Sequence, residues 1–324
     1  MCPPSSKKIM KQYRLQLFGL PIINDLKDLS DHLHLSKGLL YRLAKFNSHQ
    51  YISFSIPKKN GNPRIIHCPN KETKAVQVWI LRNILGKITL ADVATGFREK
   101  KGIRENALAH KGNQYFLCLD LDDFFPSIKY AKVYNIFKMM GYNLHVSHLL
   151  ASLCTCEGEL PQGGVTSPMI SNIVCIRLDR RIAGYVGKHN VTYSRYADDL
   201  TFSSLSFARL LRIRKFVERI LNEEGFNLNI AKTRFMGKST RREVTGLVVG
   251  ENSVGIGRQE KRILRVKIYQ LLKGKIEEED KLQRINHING WLSFLSHIDK
   301  DGVGMLKRYA ESLNLQHGLR FLTK

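Results

Sequence analysis

Two short apolar runs that end in carboxylates constrain this chain more than any other feature of it. The first, Tyr115-Phe116-Leu117-Cys118-Leu119-Asp120, has the length of a strand and closes on Asp120, with Asp122 and Asp123 just beyond. The second is Tyr193-Ser194-Arg195-Tyr196-Ala197-Asp198-Asp199-Leu200-Thr201-Phe202. It sets two adjacent acids between aromatic and β-branched residues, the pattern of a β-hairpin with carboxylates at its tip. Alone, that pair also fits a solvated turn. An acid closing a buried strand has no packing rationale. If the strand and the hairpin are neighbours, Asp120, Asp198 and Asp199 converge, and their mutual repulsion calls for a cation. Hard oxygen ligands of this kind suit Mg²⁺ shared with phosphates. Two such ions ~3.5–4 Å apart clamp both oxygens of a phosphoryl transfer.

The balance of charge points to the same chemistry. The chain has 324 residues, enough for a large core and two or three subdomains, and 52 Lys and Arg against 28 Asp and Glu leave a net charge of +24. A protein this basic needs a polyanion, and nucleic acid is the usual one. The six cysteines suggest a reducing compartment: Cys118 and Cys175 lie in apolar segments, and Cys154-Thr155-Cys156 lacks the spacing of a zinc site. The first twenty residues carry no apolar core of a signal peptide. No apolar run reaches the ~18 residues of a membrane span. The expectation is a soluble, cytoplasmic protein with no membrane partner.

In chain order, residues 1–50 read as a basic helical extension with caps offered at Asn24-Asp25 and Ser30-Asp31. Tyr51–Ile56 and Arg64–His67 flank Lys58-Lys59 and an Asn60-Gly61-Asn62-Pro63 turn, and so read as a hairpin. A core-facing helix spans Lys71 to Ile88, and a short one carries Asn106-Ala107-Leu108-Ala109-His110. Pro126-Ser127 opens a helix that Gly141 stops. His145 and His148 read as core or nucleic-acid-facing histidines. The turn-rich Pro161–Pro168 loop enters a helix running to about Gly184. Ser206 caps another helix, Gly225 ends it, and Phe226–Ile230 is the expected returning strand. Val244–Val249 is strand-like. Arg258 to Leu272 alternates apolar and cationic residues as a helix gripping a duplex would. The Glu277–Asp280 run reads as a solvated loop, and after it comes one more amphipathic helix through Ile285, Ile288, Trp291, Leu292 and Leu295.

Asp120 with Phe125, then Leu160-Pro161-Gln162-Gly163 through Ser167-Pro168, then Tyr196-Ala197-Asp198-Asp199, in that order, resemble the palm motifs of a reverse transcriptase. Asn106–His110 is similar to the NAxxH element of bacterial retron reverse transcriptases, and Val244-Thr245-Gly246 to their VTG element. The resemblance implies an α+β right-hand polymerase with fingers, a ferredoxin-like palm and a helical thumb. Its divisions fall at 1–50 (extension), 51–115 (fingers), 116–250 (palm, with part of the fingers around 141–165) and 251–324 (thumb). It implies two Mg²⁺ held by Asp120, the Leu121 backbone, Asp198 and Asp199. Nucleotide contacts fall to Arg64, Gln162, Gly163, Lys232 and either Lys58 or Lys59, with Phe125 as a gate against a 2′-OH. RNA recognition falls to Asn106, His110, Val244, Thr245, Gly246, Arg258, Arg262 and Arg265. The implied partners are dNTPs, a cognate structured non-coding RNA with its branched DNA product, and a separate effector in phage defence. A group II intron-like reverse transcriptase and a silent RNA-binding scaffold are the rival readings.

Overall fold

The computed structural model describes residues 13–57, 63–275 and 277–314. Lys58 and Lys59 lie outside the described residues.

Two short helices come first, α1 (Leu26–Leu33) and α2 (Lys37–Lys45). Asp25 caps α1, accepting from the Lys27 and Asp28 amides, and Ser36 caps α2. Ser30-Asp31, an expected cap, is interior to α1 instead. Strands β1 (Tyr51–Pro57) and β2 (Pro63–Pro69) pair antiparallel with Tyr51 opposite Pro69, giving the expected hairpin. Helix α3 (Lys71–Asn83), capped by Asn70, buries Val76, Gln77 and Ile80 beneath it. The short α4 (Ile103–Leu108) precedes β3 (Tyr115–Asp120).

Beyond β3 the expected single helix from Pro126 is two: α5 (Phe124–Ser127) and α6 (Tyr130–Met140). Ile128, extended at φ −86° and ψ 91°, separates them. Gly141 ends α6 at φ +117°, where a glycine has no Cβ to clash. Next come α7 (Leu144–Cys154), α8 (Ser167–Val174), α9 (Ile176–Gly187), the hairpin strands β4 (Thr192–Tyr196) and β5 (Asp199–Ser204), and α10 (Phe207–Glu223). Strand β6 (Arg234–Met236) completes a four-stranded sheet in the order β4-β5-β3-β6, antiparallel throughout. That is the strand order of a ferredoxin-like palm. Its last strand differs from expectation. Phe226–Ile230 makes only a single bridge, Leu228 to Leu121, and a 3₁₀ turn at Ile230–Lys232 intervenes before β6.

Alternation along the strands gives the sheet two unlike faces. Leu117, Leu119, Tyr193, Leu200 and Phe202 point into the main core against α9 and α10. Each such buried side chain is worth ~1.5–3 kcal/mol. Phe116 and Cys118 point the other way, into a second core with Ala107, Val244, Leu247 and Leu264. By register Asp120 and Asp199 share this second face. Strands β7 (Glu243–Val244), β8 (Leu247–Val249) and β9 (Val254–Gly255) form a small sheet leading to three helices, α11 (Gly257–Leu272), α12 (Glu278–Ile298) and α13 (Lys300–Asn314). The acids expected in a loop begin α12 instead, where negative charge complements the helix dipole. No described helix is long and apolar enough to cross a membrane.

Candidate active site

Strand register brings the acids together. Asp120 lies opposite Asp199, and the Leu121 amide donates to the Asp198 carbonyl at 3.1 Å, locking the hairpin tip to the end of β3. The tip is a two-residue turn, Ala197-Asp198, between the paired Tyr196 and Asp199. Ala197 sits at φ +57°, a region non-glycine residues enter only when the surroundings hold them.

Those surroundings are a buried ion pair that sequence reasoning missed. Arg195 and Asp179 are both fully buried and bound in a fork, Nε to Oδ1 at 2.8 Å and Nη2 to Oδ2 at 2.7 Å. The remaining Arg195 nitrogen, Nη1, donates to the Ala197 carbonyl at 3.0 Å and to Asn172 Oδ1 at 3.1 Å. Asn172 in turn donates to the Gly96 carbonyl. Gly96 lies so close under the turn that a Cβ there would meet the Ala197 nitrogen at 2.8 Å. The available signal was Asp179 itself, an acid in step with Cys175, Ile182 and Val186 on an otherwise buried helix face.

The electrostatics suit a cation. Burial pushes Asp199 up to about 6, and the charges of Asp198 and Asp120 add to the shift. Asp198 is raised by burial and by the Asp120 charge, with a backbone hydrogen bond, Lys232 and Arg64 pulling it back. Lys232 reaches Asp120 in a fork of 2.8 and 3.0 Å, and that hydrogen-bonded partner raises its pKa. The 3₁₀ turn before β6 places it there. Among the described residues no three His, Cys, Asp or Glu side chains close on one point. The positive charge beside Asp120 is the Lys232 ammonium. By donor type the three carboxylates suit a hard divalent cation, and burial raises the pKa of two of them, so that bringing all three to one point as charged groups calls for a cation.

Two of the expected nucleotide contacts, Arg64 and Gln162, line one cleft. The His67 amide donates to the Gln162 carbonyl at 2.8 Å, tying the β1-β2 hairpin to the loop before α8. Gly163 permits the contact: it sits at φ +121°, and a Cβ would lie 2.8 Å from the His67 carbonyl. Arg64, His67, Asp123, Pro126 and Gln162 line a cleft of about 280 Å³. Phe125 is half-buried and packs on Phe97 at 6.3 Å, which in turn packs on Tyr196 at 6.2 Å. His148 is exposed and lies against the Tyr130 and Tyr134 rings, at 6.0 and 4.5 Å between centroids.

The expected RNA-recognition residues divide. Arg258, Arg262 and Arg265 are exposed along one face of α11. With Lys261, Tyr269 and Tyr309 they line a groove of about 550 Å³. Gly246 is exposed and Thr245 half-buried. Asn106, His110 and Val244 are buried at 0%, 0% and 1% exposure, so their side chains offer no surface to RNA. Sequence spacing could not separate an RNA-facing element from an internal one.

Residues 56–249 match the family model "Reverse transcriptase (RNA-dependent DNA polymerase)". The chain is 37% identical to the retron Ec86 reverse transcriptase of Escherichia coli over 98% of each chain. It is 32% identical to the retron Mx65 reverse transcriptase of Myxococcus xanthus, over 91% of this chain and 73% of that one. A foamy viral protease–reverse transcriptase, solved with double-stranded DNA, overlaps 84% of this chain at 18% identity and a TM-score of 0.43, too loose a likeness to add to these. With its acids at the end of a ferredoxin-like sheet and its family match across the palm, this chain is an RNA-directed DNA polymerase and belongs to the retron reverse transcriptases.

Proposed function

We propose that the protein copies one cognate structured RNA into DNA, priming from the 2′-OH of an internal guanosine in that RNA to give a branched RNA–DNA product. The observation that carries this reading is kinship along nearly the whole chain, 98% of it, with a retron enzyme rather than along the palm alone. Asp120, Asp198, Asp199 and the Leu121 backbone would hold two Mg²⁺, which when bound lower the pKa of the attacking hydroxyl and steady the leaving pyrophosphate. The chain's own residues do the rest. Arg64, Gln162, Gly163 and one of Lys58 and Lys59 orient the triphosphate. Phe125 excludes the 2′-OH of a ribonucleotide. Lys232 is the cation beside the acids, suited to a departing phosphate.

The divisions 51–115, 116–250 and 251–324 serve as fingers, palm and thumb, behind a 1–50 extension. The exposed arginines of α11 grip the duplex through phosphates, contacts that fix register and carry no sequence information. A-form RNA presents shape and 2′-OH groups to such a surface. The enzyme works in the cytoplasm of a bacterium, beside a separate effector protein in defence against phage.

The experiment is to purify the protein with its nucleic acid, sequence both strands, and treat the product with a debranching enzyme specific for 2′–5′ linkages. A single RNA joined to DNA through a guanosine 2′ linkage is the expected result. Unlinked DNA on mixed templates would contradict the retron reading and leave a general reverse transcriptase.

A further inference from the structure

The buried NAxxH residues are joined by hydrogen bonds whose direction can be assigned. Asn106 Oδ1 accepts from Thr95 Oγ1 at 2.9 Å and from Ser194 Oγ at 2.6 Å. With its proton committed there, Ser194 Oγ must accept from His110 Nε2, 2.7 Å away. The imidazole therefore carries its proton on Nε2, and Nδ1 accepts from Ser203 Oγ at 2.6 Å. Ser203 in turn accepts from Asn113 Nδ2 at 2.8 Å. Asn106, His110 and Ser203 are at 0% exposure and Ser194 at 1%. A fully satisfied network of this kind specifies one arrangement of its members. Burial holds His110 neutral, down to about 3, as the assigned tautomer requires.

What the network joins is the catalytic hairpin. Ser194 lies on β4, four residues before Asp198, and Ser203 on β5, four after Asp199. The register places both serines on the sheet face that carries Asp120 and Asp199, since Ser194 opposes Thr201, Thr201 opposes Cys118 and Ser203 opposes Phe116. One imidazole thus bridges the two strands of the hairpin behind its tip. A one-residue slip would turn the acids to the other face.

The VTG element supports the other side of Asn106. Val244 pairs with Leu247, leaving Thr245 at φ +46° and Gly246 at φ +83° as a two-residue turn. Both positions of such a turn favour glycine or asparagine. A β-branched residue there is strained, and its hydroxyl supplies the reason: Thr245 Oγ1 lies 3.4 Å from Asn106 Nδ2 and 3.5 Å from the Ile103 carbonyl.

We propose that Asn106 and His110, backed by Thr245, are positioning residues that hold the Asp198-Asp199 hairpin in register from inside the palm. This rests on the reading of those acids as the reacting centre. The role differs from contact with RNA because Asn106, His110 and the two serines they hold are buried away from the surface.

The test uses the full-length protein and a generic annealed primer–template, so that recognition of a cognate RNA plays no part. Variants are His110→Ala, His110→Gln, Ser203→Ala and Thr245→Gly. His110→Gln retains a donor for Ser194, and Ser203→Ala removes one oxygen with almost no cavity. Thr245→Gly relaxes the strained backbone while deleting the hydroxyl. The expected result is a kcat lower by ~10–100-fold for His110→Ala, the scale of a 1 Å misplacement, with the dNTP KM within about twofold. His110→Gln should recover part of that loss. Ser203→Ala and Thr245→Gly should lower kcat while the protein stays folded at the assay temperature, Ser203→Ala losing some Tm for the partner it takes from His110. In parallel, the Mn²⁺ concentration that gives half the metal-induced rise in Tm should increase. Parental kcat and parental Mn²⁺ response in Ser203→Ala and Thr245→Gly would overturn the proposal, and so would a loss confined to a structured RNA template. If the parent itself extends no primer, the functional reading fails, and the Mn²⁺ response alone decides whether the network positions the acids.

Discussion

Removing Asp179 should be among the costliest single changes in this protein. Its carboxylate accepts from Arg195 Nε, Arg195 Nη2 and the Tyr193 hydroxyl, at 2.8, 2.7 and 2.9 Å, in a site with no solvent exposure. Asp179→Ala leaves the Arg195 charge buried without its counter-ion, a change that costs ~3–5 kcal/mol. At ~2–4 °C per kcal/mol for a unit of ~150–250 residues, Tm should fall by roughly 6–20 °C. Arg195→Met strands the opposite charge, costs a similar amount, and also frees the strained Ala197 carbonyl that Nη1 holds at 3.0 Å. The double variant Asp179→Leu with Arg195→Met removes both charges and should lose markedly less than the two singles together, a coupling of about 2–3 kcal/mol. Urea denaturation of the four proteins at one pH gives the cycle. Additive losses, or a single variant within ~1 kcal/mol of the parent, would refute the claim that this pair clamps the catalytic turn.

Three further outcomes are expected at the site. Phe125→Ala should lower the dNTP:rNTP ratio of kcat/KM by ~10–100-fold, the range over which a pocket sorts small groups by shape, and an unchanged ratio in an active variant returns Phe125 to plain packing. Asp199 is raised from 3.8 to about 6 in the folded protein, first by burial and then by its acidic neighbours, so the metal-free fold binds an extra proton between those values and this group's contribution to stability falls as pH rises through them; Asp199→Asn should flatten Tm against pH over pH 4–6 in EDTA and raise Tm above it, and an unaltered profile would contradict the raised pKa. Replacing Arg258, Arg262 and Arg265 together by Ala should reduce the slope of log K against log salt for duplex binding by about 2–3, which equilibrium titration at several salt concentrations reads directly.

Much of the site was legible because it is written in local pattern. An apolar strand closing on Asp120 and a hairpin tipped by Asp198-Asp199 needed only alternation and like-charge repulsion, and the register of β3 against β5 then placed them opposite one another. The Arg64 hairpin and the Gly163 loop were equally local, one resting on a turn and the other on a glycine. What was hidden depends on contacts between distant segments. Phe226–Ile230 has the composition of a strand, yet the chain turns there to bring Lys232 to Asp120, and β6 starts at Arg234. The acids of the α12 first turn looked like a loop because a run of like charge suits a solvated loop and a helix N-terminus equally well. Asn106 and His110 have the polarity of surface residues, and only their partners on β4 and β5 show why they are buried.

We assign RNA-templated DNA synthesis to Asp198 and its neighbours. The most direct measurement is single-nucleotide incorporation on an RNA template with an annealed primer, by the parent and by Asp198→Asn, at matched Tm and matched affinity for the duplex. The parent should add dNTP in the presence of Mg²⁺. Asp198→Asn should add none above background, because an amide is a weaker ligand for a hard cation and lacks the charge. Incorporation by Asp198→Asn within a few-fold of the parent would contradict the assignment of the site.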